Sequence, residues 1–278
     1  MSRLRCYMSW LALDGMKSFA DTRGQTALEE IKAAGFDGIQ FDDPVDWNIL
    51  RLASQMGLGI CGSGRVNAPH EAAPLAQAAA DAGLDCLTLH VGWGMEDDEE
   101  GARLIESILK ASDQHRIPLY VETHRATIFQ DMQRTVQCLK RFPTLEFNGD
   151  FSHWYTGSEM VYGGFERKLE FIHPVIERVR FLHGRIGNPG SMQVAITVDD
   201  PASYVAHFRE MWTRCFTAYL GTTEPKQKFI TFTPELLAPG IFYARTFQGA
   251  EESDRWEQSQ LLVRIAREYF QAAEQLRQ

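Results

Sequence analysis

Short apolar runs alternate with segments of helical spacing from residue 4 to residue 275, and this alternation limits the fold more than any other feature of the chain. LRCYMSW (4–10), FDGIQF (36–41), LGICGSG (58–64) and CLTLHVGWG (86–94) read as the first four strands. Leu28, Ile31 and Ala34 fall at helical spacing after the first strand, and Gly35 ends that helix. A second helix is expected from about Pro44, carrying Trp47, Leu50, Leu52 and Ala53, and a third over 69–82 from near Pro69. Strands five to eight are expected at 117–124, 145–150, 178–184 and 228–235. The later helices are expected at 102–115, 129–141, 164–177, 200–219 and 252–275. AAGFDGIQF (33–41) and DAGLDCLTL (81–89) share one pattern of helix end, glycine, Asp and strand, as duplicated βα units would.

Eight strand–helix pairs in 278 residues predict an α/β fold, a single (β/α)8 TIM barrel over 1–278, with its active site at the C-terminal ends of the strands. A doubly wound open sheet would carry GxGxxG in the first βα turn, and that fingerprint is absent. A net charge of −9 and no cluster of Lys and Arg argue against nucleic acid as a partner. About 18 consecutive apolar residues, the length of a membrane span, occur nowhere, and residues 1–10 lack the pattern of a secretory signal. Five cysteines without a CxxC fit neither a disulfide framework nor a zinc knuckle, so a reduced, cytoplasmic setting is expected.

Four consecutive strand-like runs finish in a potential metal ligand. They are LYVETH (119–124) with Glu122, LEFNGD (145–150) with Asp150, VRFLHGR (179–185) with His183, and FITFTPE (229–235) with Glu235. At one barrel mouth these supply three carboxylates and an imidazole, a hard donor set for one divalent ion, manganese or magnesium first, with cobalt or zinc also suited. Any one of them alone would be an ordinary polar group at the barrel rim. Four ionisable groups converging there need a cation or one another. Alternation along a strand puts His124 on the same side as Glu122, and Arg185 on the same side as His183. His153, three residues after Asp150, reaches the same metal or a substrate oxygen, or is a loop histidine. His90 ends strand four as a pocket wall or a satisfied core histidine.

Trp10, Trp93 and Trp154 fall at or just after strand ends, where they wall the pocket against a sugar's C–H face or pack in the core or rim. Asp42, Asp43 and Arg125 also follow strand ends, with nothing in their spacing to assign a role. His70, His115, His173 and His207 lie on predicted helices or their ends and are expected at the surface. The acidic run Glu96 to Glu100 suits the positive N-terminal end of the helix that follows. Segment 184–200 is long for a βα loop, as lids, contact surfaces and phosphate sites are. Walker, GxSxG and HExxH motifs are absent.

The ordered series VETH, DFSHW, LHGR and TPE on strands five to eight resembles the xylose isomerase-like TIM-barrel superfamily of sugar phosphate isomerases/epimerases and endonuclease IV-type enzymes, over nearly the whole chain. The ketose 3-epimerase and hydroxypyruvate isomerase branch holds one divalent metal with Glu, Asp, His and Glu from these strands. The resemblance therefore implies Glu122, Asp150, His183 and Glu235 as ligands, His153 and Arg185 as substrate contacts, and Glu122 and Glu235 as the acid/base pair. It implies isomerisation or epimerisation of a small ketose or related hydroxy-ketone by proton transfer through an enediolate, and a homo-oligomer. Several zinc ligands of the endonuclease branch are missing, as is the active-site lysine of xylose isomerase. The LHGRIG form after strand seven differs from characterised epimerases, so a metal-dependent inosose-type dehydratase stands as the alternative, followed by an endonuclease IV-type DNA repair nuclease or a non-catalytic sugar-binding barrel.

Overall fold

The computed structural model describes residues 3–22, 24–42, 46–223 and 225–276. Eight parallel strands close on themselves in chain order: β1 (Arg3–Ser9), β2 (Gly38–Phe41), β3 (Gly59–Val66), β4 (Cys86–Val91), β5 (Leu119–Glu122), β6 (Phe147–Asn148), β7 (Val179–His183) and β8 (Phe229–Thr233). β1 pairs with β8 from Arg3↔Phe229 to Cys6↔Phe232, which completes a (β/α)8 TIM barrel. Closure leaves every strand paired on both sides, and the outward faces are covered by helices.

The helices are α1 (Gly24–Ala33), α2 (Trp47–Gln55), α3 (Ala72–Asp81), α4 (Asp98–His115), α5 (Met132–Arg141), α6 (Phe151–Gly157), α7 (Phe165–Phe171), α8 (His173–Ile176), α9 (Ser203–Gly221) and α10 (Arg255–Gln275). Their starts follow local chemistry. Asp97 caps α4 in a capping box with Glu100, and Glu96 accepts from the N–H groups of Trp93, Gly94 and Met95, so the acidic run is structural. Asp46 caps α2, whose expected start at Pro44 lies outside the described residues, as does Asp43. Pro69 opens a 3-10 turn ahead of α3. Among the described residues no helix is long and apolar enough to cross a membrane.

Four expectations change. Strand six shrinks to two residues because the register shifts between Phe147 and Asn148, and a short helix, α6, starts at once behind Asp150. The helix expected over 164–177 is broken at Ile172, ahead of Pro174. Proline supplies no amide hydrogen and clashes with the preceding turn. His207 is half-buried, stacked on Phe165 with ring centroids 3.8 Å apart, and does not stand free at the surface. Loop 184–200 is packed down through Ile186, Met192, Val194 and Ile196, and Gln193 bonds the backbone of Leu237 in both directions.

Inside the barrel the lower layer is Tyr7, Cys61, Cys86, Tyr120 and Phe181. It is fully buried, and the Tyr7 and Tyr120 hydroxyls donate to Asp85 and Gln227. Above it, toward the C-terminal ends, the buried residues turn polar: Gln40, Thr88, Glu122, Asn148, Asp150, His153, His183 and Arg185. The barrel is thus plugged by aromatic and cysteine side chains below, with buried charged groups gathered above.

Candidate metal centre and active site

β5 delivers Glu122, the turn after β6 delivers Asp150, β7 ends on His183, and Glu235 follows β8. One oxygen of each carboxylate lies near the same atom: His183 Nδ1 is 3.6 Å from Glu122 Oε2, 3.7 Å from Asp150 Oδ2 and 3.6 Å from Glu235 Oε2. Donors that share one ion at about 2.1 Å are themselves roughly 3–4 Å apart, a spacing that Glu122, Asp150 and His183 approach most closely, with Glu235 joined to them through His183. Buried ligand atoms of Glu122, Asp150 and His183 lie within 4.8 Å of one another.

The surrounding polar groups hold this geometry. Asn148 Oδ1 accepts from the His183 backbone N–H at 3.0 Å, which turns its amide nitrogen toward Thr88 Oγ1 at 2.8 Å and Glu122 Oε2 at 3.3 Å. Thr88 in turn donates to Glu122 Oε2 at 3.3 Å. His183 Nε2 lies 3.1 Å from Gln40 Oε1 and Nδ1 lies 3.1 Å from Asn148 Nδ2, contacts that fix the ring with Nδ1 toward the carboxylate cluster. Burial would lower the His183 pKa, yet Glu235 and Glu122 raise it well above the usual histidine value. That pull on positive charge is what a cation at the same place would satisfy.

Arg185, fully buried, joins two of the acids. Its guanidinium donates to Asp150 Oδ2 and, at 3.1 Å, to Glu235 Oε2. Burial raises Asp150 and Glu122, but Arg185 and His153 overcome it at Asp150, and His183 and His90 at Glu122. Both acids end well below the usual carboxylate range. For Glu235 burial wins, and its pKa is pushed up to about 7.

A wall of imidazoles stands on the other side of Glu122. The rings of His90, His124 and His153 follow one another at 4.1 and 4.0 Å, and His90 Nε2 is 3.4 Å from Glu122 Oε2. Burial holds His124 at about 4 and His153 well below its usual value, so both are neutral near pH 7. His153 Nδ1 and Gln40 Nε2 are buried with no hydrogen-bond partner among the described residues, as expected of groups completed by a bound molecule or water. Donor atoms of His90, Glu122 and His124 also converge within 4.8 Å.

All four expected ligands, with His90, His124, His153 and Arg185, are thus brought together, and Trp154 is not. It sits on α6 facing away from the cup, fully buried, its indole N–H donating to the Phe129 carbonyl at 2.9 Å. A helix directly behind Asp150 sends neighbouring side chains about 100° apart, so His153 meets the site and Trp154 the core. Trp10 packs on Phe41, and Trp93, half exposed, lies under the Arg65 guanidinium.

Sequence reasoning missed Gln40, Thr88 and Asn148, and it missed Tyr243. The Tyr243 ring lies 4.5 Å from the Arg185 guanidinium carbon, and its hydroxyl is 3.4 Å from His124 Nε2. Period-two alternation toward the site was a usable signal for Gln40 two residues before Asp42, and for Thr88 two before His90. Tyr243, in the loop after β8, had none.

No family model matches the sequence, and no curated protein matches it. Solved structures do. A xylose isomerase-like TIM barrel protein from Mycobacterium smegmatis, solved in complex with magnesium, superposes with a TM-score of 0.60 at 12% identity, over 97% of this chain and 96% of its own. A xylose isomerase domain protein from Planctomyces limnophilus gives 0.58 at 13% identity, over 98% of both chains. An uncharacterised protein from Parabacteroides distasonis gives 0.51 at 10%, over 98% of both. The chain therefore has the fold of the xylose isomerase-like TIM barrels.

Proposed function

We propose that this protein is a divalent-metal-dependent isomerase or epimerase of a small ketose or related hydroxy-ketone, working by proton transfer at the carbon beside the carbonyl. The observation that carries the reading is the convergence of Glu122, Asp150 and Glu235 on His183 Nδ1 at 3.6–3.7 Å. These four residues would hold the ion, and magnesium or manganese suits their oxygen-rich set. The magnesium bound by the Mycobacterium smegmatis protein of the same fold agrees with that choice. When bound, the cation polarises the carbonyl and offsets the negative charge that develops on its oxygen.

The protein's own groups move the proton. Glu122 ends β5 and Glu235 follows β8, three strands further round the barrel, so two separate carboxyls border the same space beside His183. Their environments push their pKa values apart, the arrangement expected of a base and an acid. Glu122 is ionised and accepts the proton. Burial pushes Glu235 up to about 7 in the metal-free protein, and Glu235 is the group that returns the proton. The neutral His153 donates to a substrate oxygen, Arg185, bonded to Ser152, Asp150 and Glu235, holds the acids in position, and Tyr243 covers its guanidinium.

Turnover of a set of ketoses and inososes in heavy water tests this. About one divalent ion per chain and deuterium at the exchanged carbon are expected, with the exchange slowed roughly a thousandfold in Glu122→Gln and Glu235→Gln. Product without solvent deuterium would show hydride transfer and overturn the reading. A protonated Glu235 also suits a departing hydroxyl, which would make the reaction a dehydration, and an enone absorbance in the same samples identifies that case.

A further inference from the structure

Among the described residues, β3 extends beyond its pairing with β2 on the side of the acidic cluster. β2 pairs with β3 only as far as Phe41↔Gly62, whereas β3 runs on beside β4 to Val66. At the free edge of β3 opens a cleft of about 620 Å³, within the roughly 300–1,000 Å³ of small-molecule sites. Its inner end is polar, formed by Asp42, Ser63, Arg65 and His90. Because His90 Nε2 is 3.4 Å from Glu122 Oε2, the cleft begins one side chain from the proton-transfer pair.

Outward the lining turns apolar and runs between α2 and α3, past Leu50, Leu75 and Ala78. Gly62 and Gly64 lie in this stretch of β3, where a Cβ would come within 2.8 Å of Leu87 and 3.0 Å of Leu75. The two glycines let the leucines of the neighbouring elements pack directly on the β3 backbone, and these leucines line the cleft. At the threshold the Ser63 hydroxyl donates to Asp42 Oδ1, while Asp42 Oδ2 is buried with no hydrogen-bond partner among the described residues. A buried carboxylate oxygen without a donor is costly, and a ligand O–H at that point would complete it.

We infer that this cleft is a substrate subsite: it takes an aliphatic or aromatic substituent of the hydroxy-ketone, and a hydroxyl at the start of that substituent donates to Asp42. The reacting end of such a substrate rests on the function proposed above, but the substituent rests on the cleft alone. An unsubstituted small sugar would leave the apolar half in contact with water. The substrate class is then an amphipathic hydroxy-ketone.

The test is calorimetric binding of 1-hydroxy-2-alkanones, from hydroxyacetone to 1-hydroxy-2-decanone, to the magnesium-supplemented protein, with deuterium exchange followed on the same samples. Affinity should rise by up to about fourfold per methylene until the cleft is full. Ala78→Phe, at an exposed position of α3, fills the outer cleft and should abolish that rise while hydroxyacetone binding and thermal stability stay unchanged. A further hydroxyl at carbon 4 should tighten binding about tenfold in the wild type and not in Asp42→Ala. Flat affinity along the series, or a rise that persists in Ala78→Phe, overturns the subsite. An equal hydroxyl gain in Asp42→Ala removes Asp42 from it. Chain-length-dependent binding without deuterium exchange supports the subsite and discards only the isomerase, and exchange with flat affinity does the reverse.

Discussion

Glu235 is the carboxyl that burial alters most directly. Its pKa is raised to about 7 by burial, with Glu122 and Asp150 adding to the effect and His183 and Arg185 opposing it. Between its ordinary value and about 7 the folded protein binds more protons than the unfolded chain, so stability falls as pH rises through that window, by up to about 3 kcal/mol. His183, raised well above its usual value, acts in the same direction, its contribution complete below the unfolded pKa and lost as pH climbs through the folded one. Glu122 and Asp150 are depressed, so their contribution is present above the ordinary carboxylate range and lost on acidification. The metal-free protein should therefore be most stable near pH ~5 and less stable toward pH 8. Glu235→Gln should flatten much of the decline, as thermal unfolding across pH would record. A melting temperature that keeps rising from pH 5 to pH 8 would contradict the assignment.

At the scale of elements, the site depends on how tightly β7 fits against β8. Gly184 lies between His183 and Arg185, its N–H donates to the Thr233 carbonyl at 2.7 Å, and a Cβ there would fall 1.9 Å from the Phe232 ring. Phe232 is itself fixed edge-on against Trp212 of α9. Gly184→Ala must push β7 away, at a cost of about 1–3 kcal/mol or more. It should also weaken manganese binding, because both flanking side chains reach the cluster. Gly240→Ala, which meets nothing within 4 Å, is the control. Urea midpoints and metal titrations equal to wild type in Gly184→Ala would refute this coupling. The short helix α6 shows a related dependence: Asp150 accepts from the Ser152 N–H and hydroxyl at its start, so one residue both caps a helix and joins the acidic cluster.

At the scale of the whole molecule, the barrel gathers three acids and an imidazole at one mouth, and a cation there should act as a folding ligand. Metal at a hundred times its dissociation constant adds about 2.7 kcal/mol, or roughly 5–10 °C in melting temperature for a chain of this size. Because protons compete at His183 and the carboxylates, the gain should be smaller at pH 5.5 than at pH 8. Scanning calorimetry with chelator, magnesium and manganese measures both effects, and a melting temperature indifferent to every divalent ion would exclude the metal centre.

What the sequence determined by itself was local. Apolar periodicity marked eight strands, and the same four runs that ended in Glu122, Asp150, His183 and Glu235 told which end of the barrel would be charged. The strand period also placed His124 beside Glu122 and Arg185 beside His183, because alternation needs only neighbouring residues. Tertiary structure decided the rest. Gln40 meets His183 across 143 positions, Tyr243 meets His124 across 119, and no local pattern encodes an encounter of uncharged side chains at that range. Trp154 and His153 parted because α6 replaced an extended loop, which the N-capping Asp150 signals only when a helix is already suspected. The cleft beside β3 exists because one strand outlasts its neighbour, a difference of register that appears only when the barrel closes.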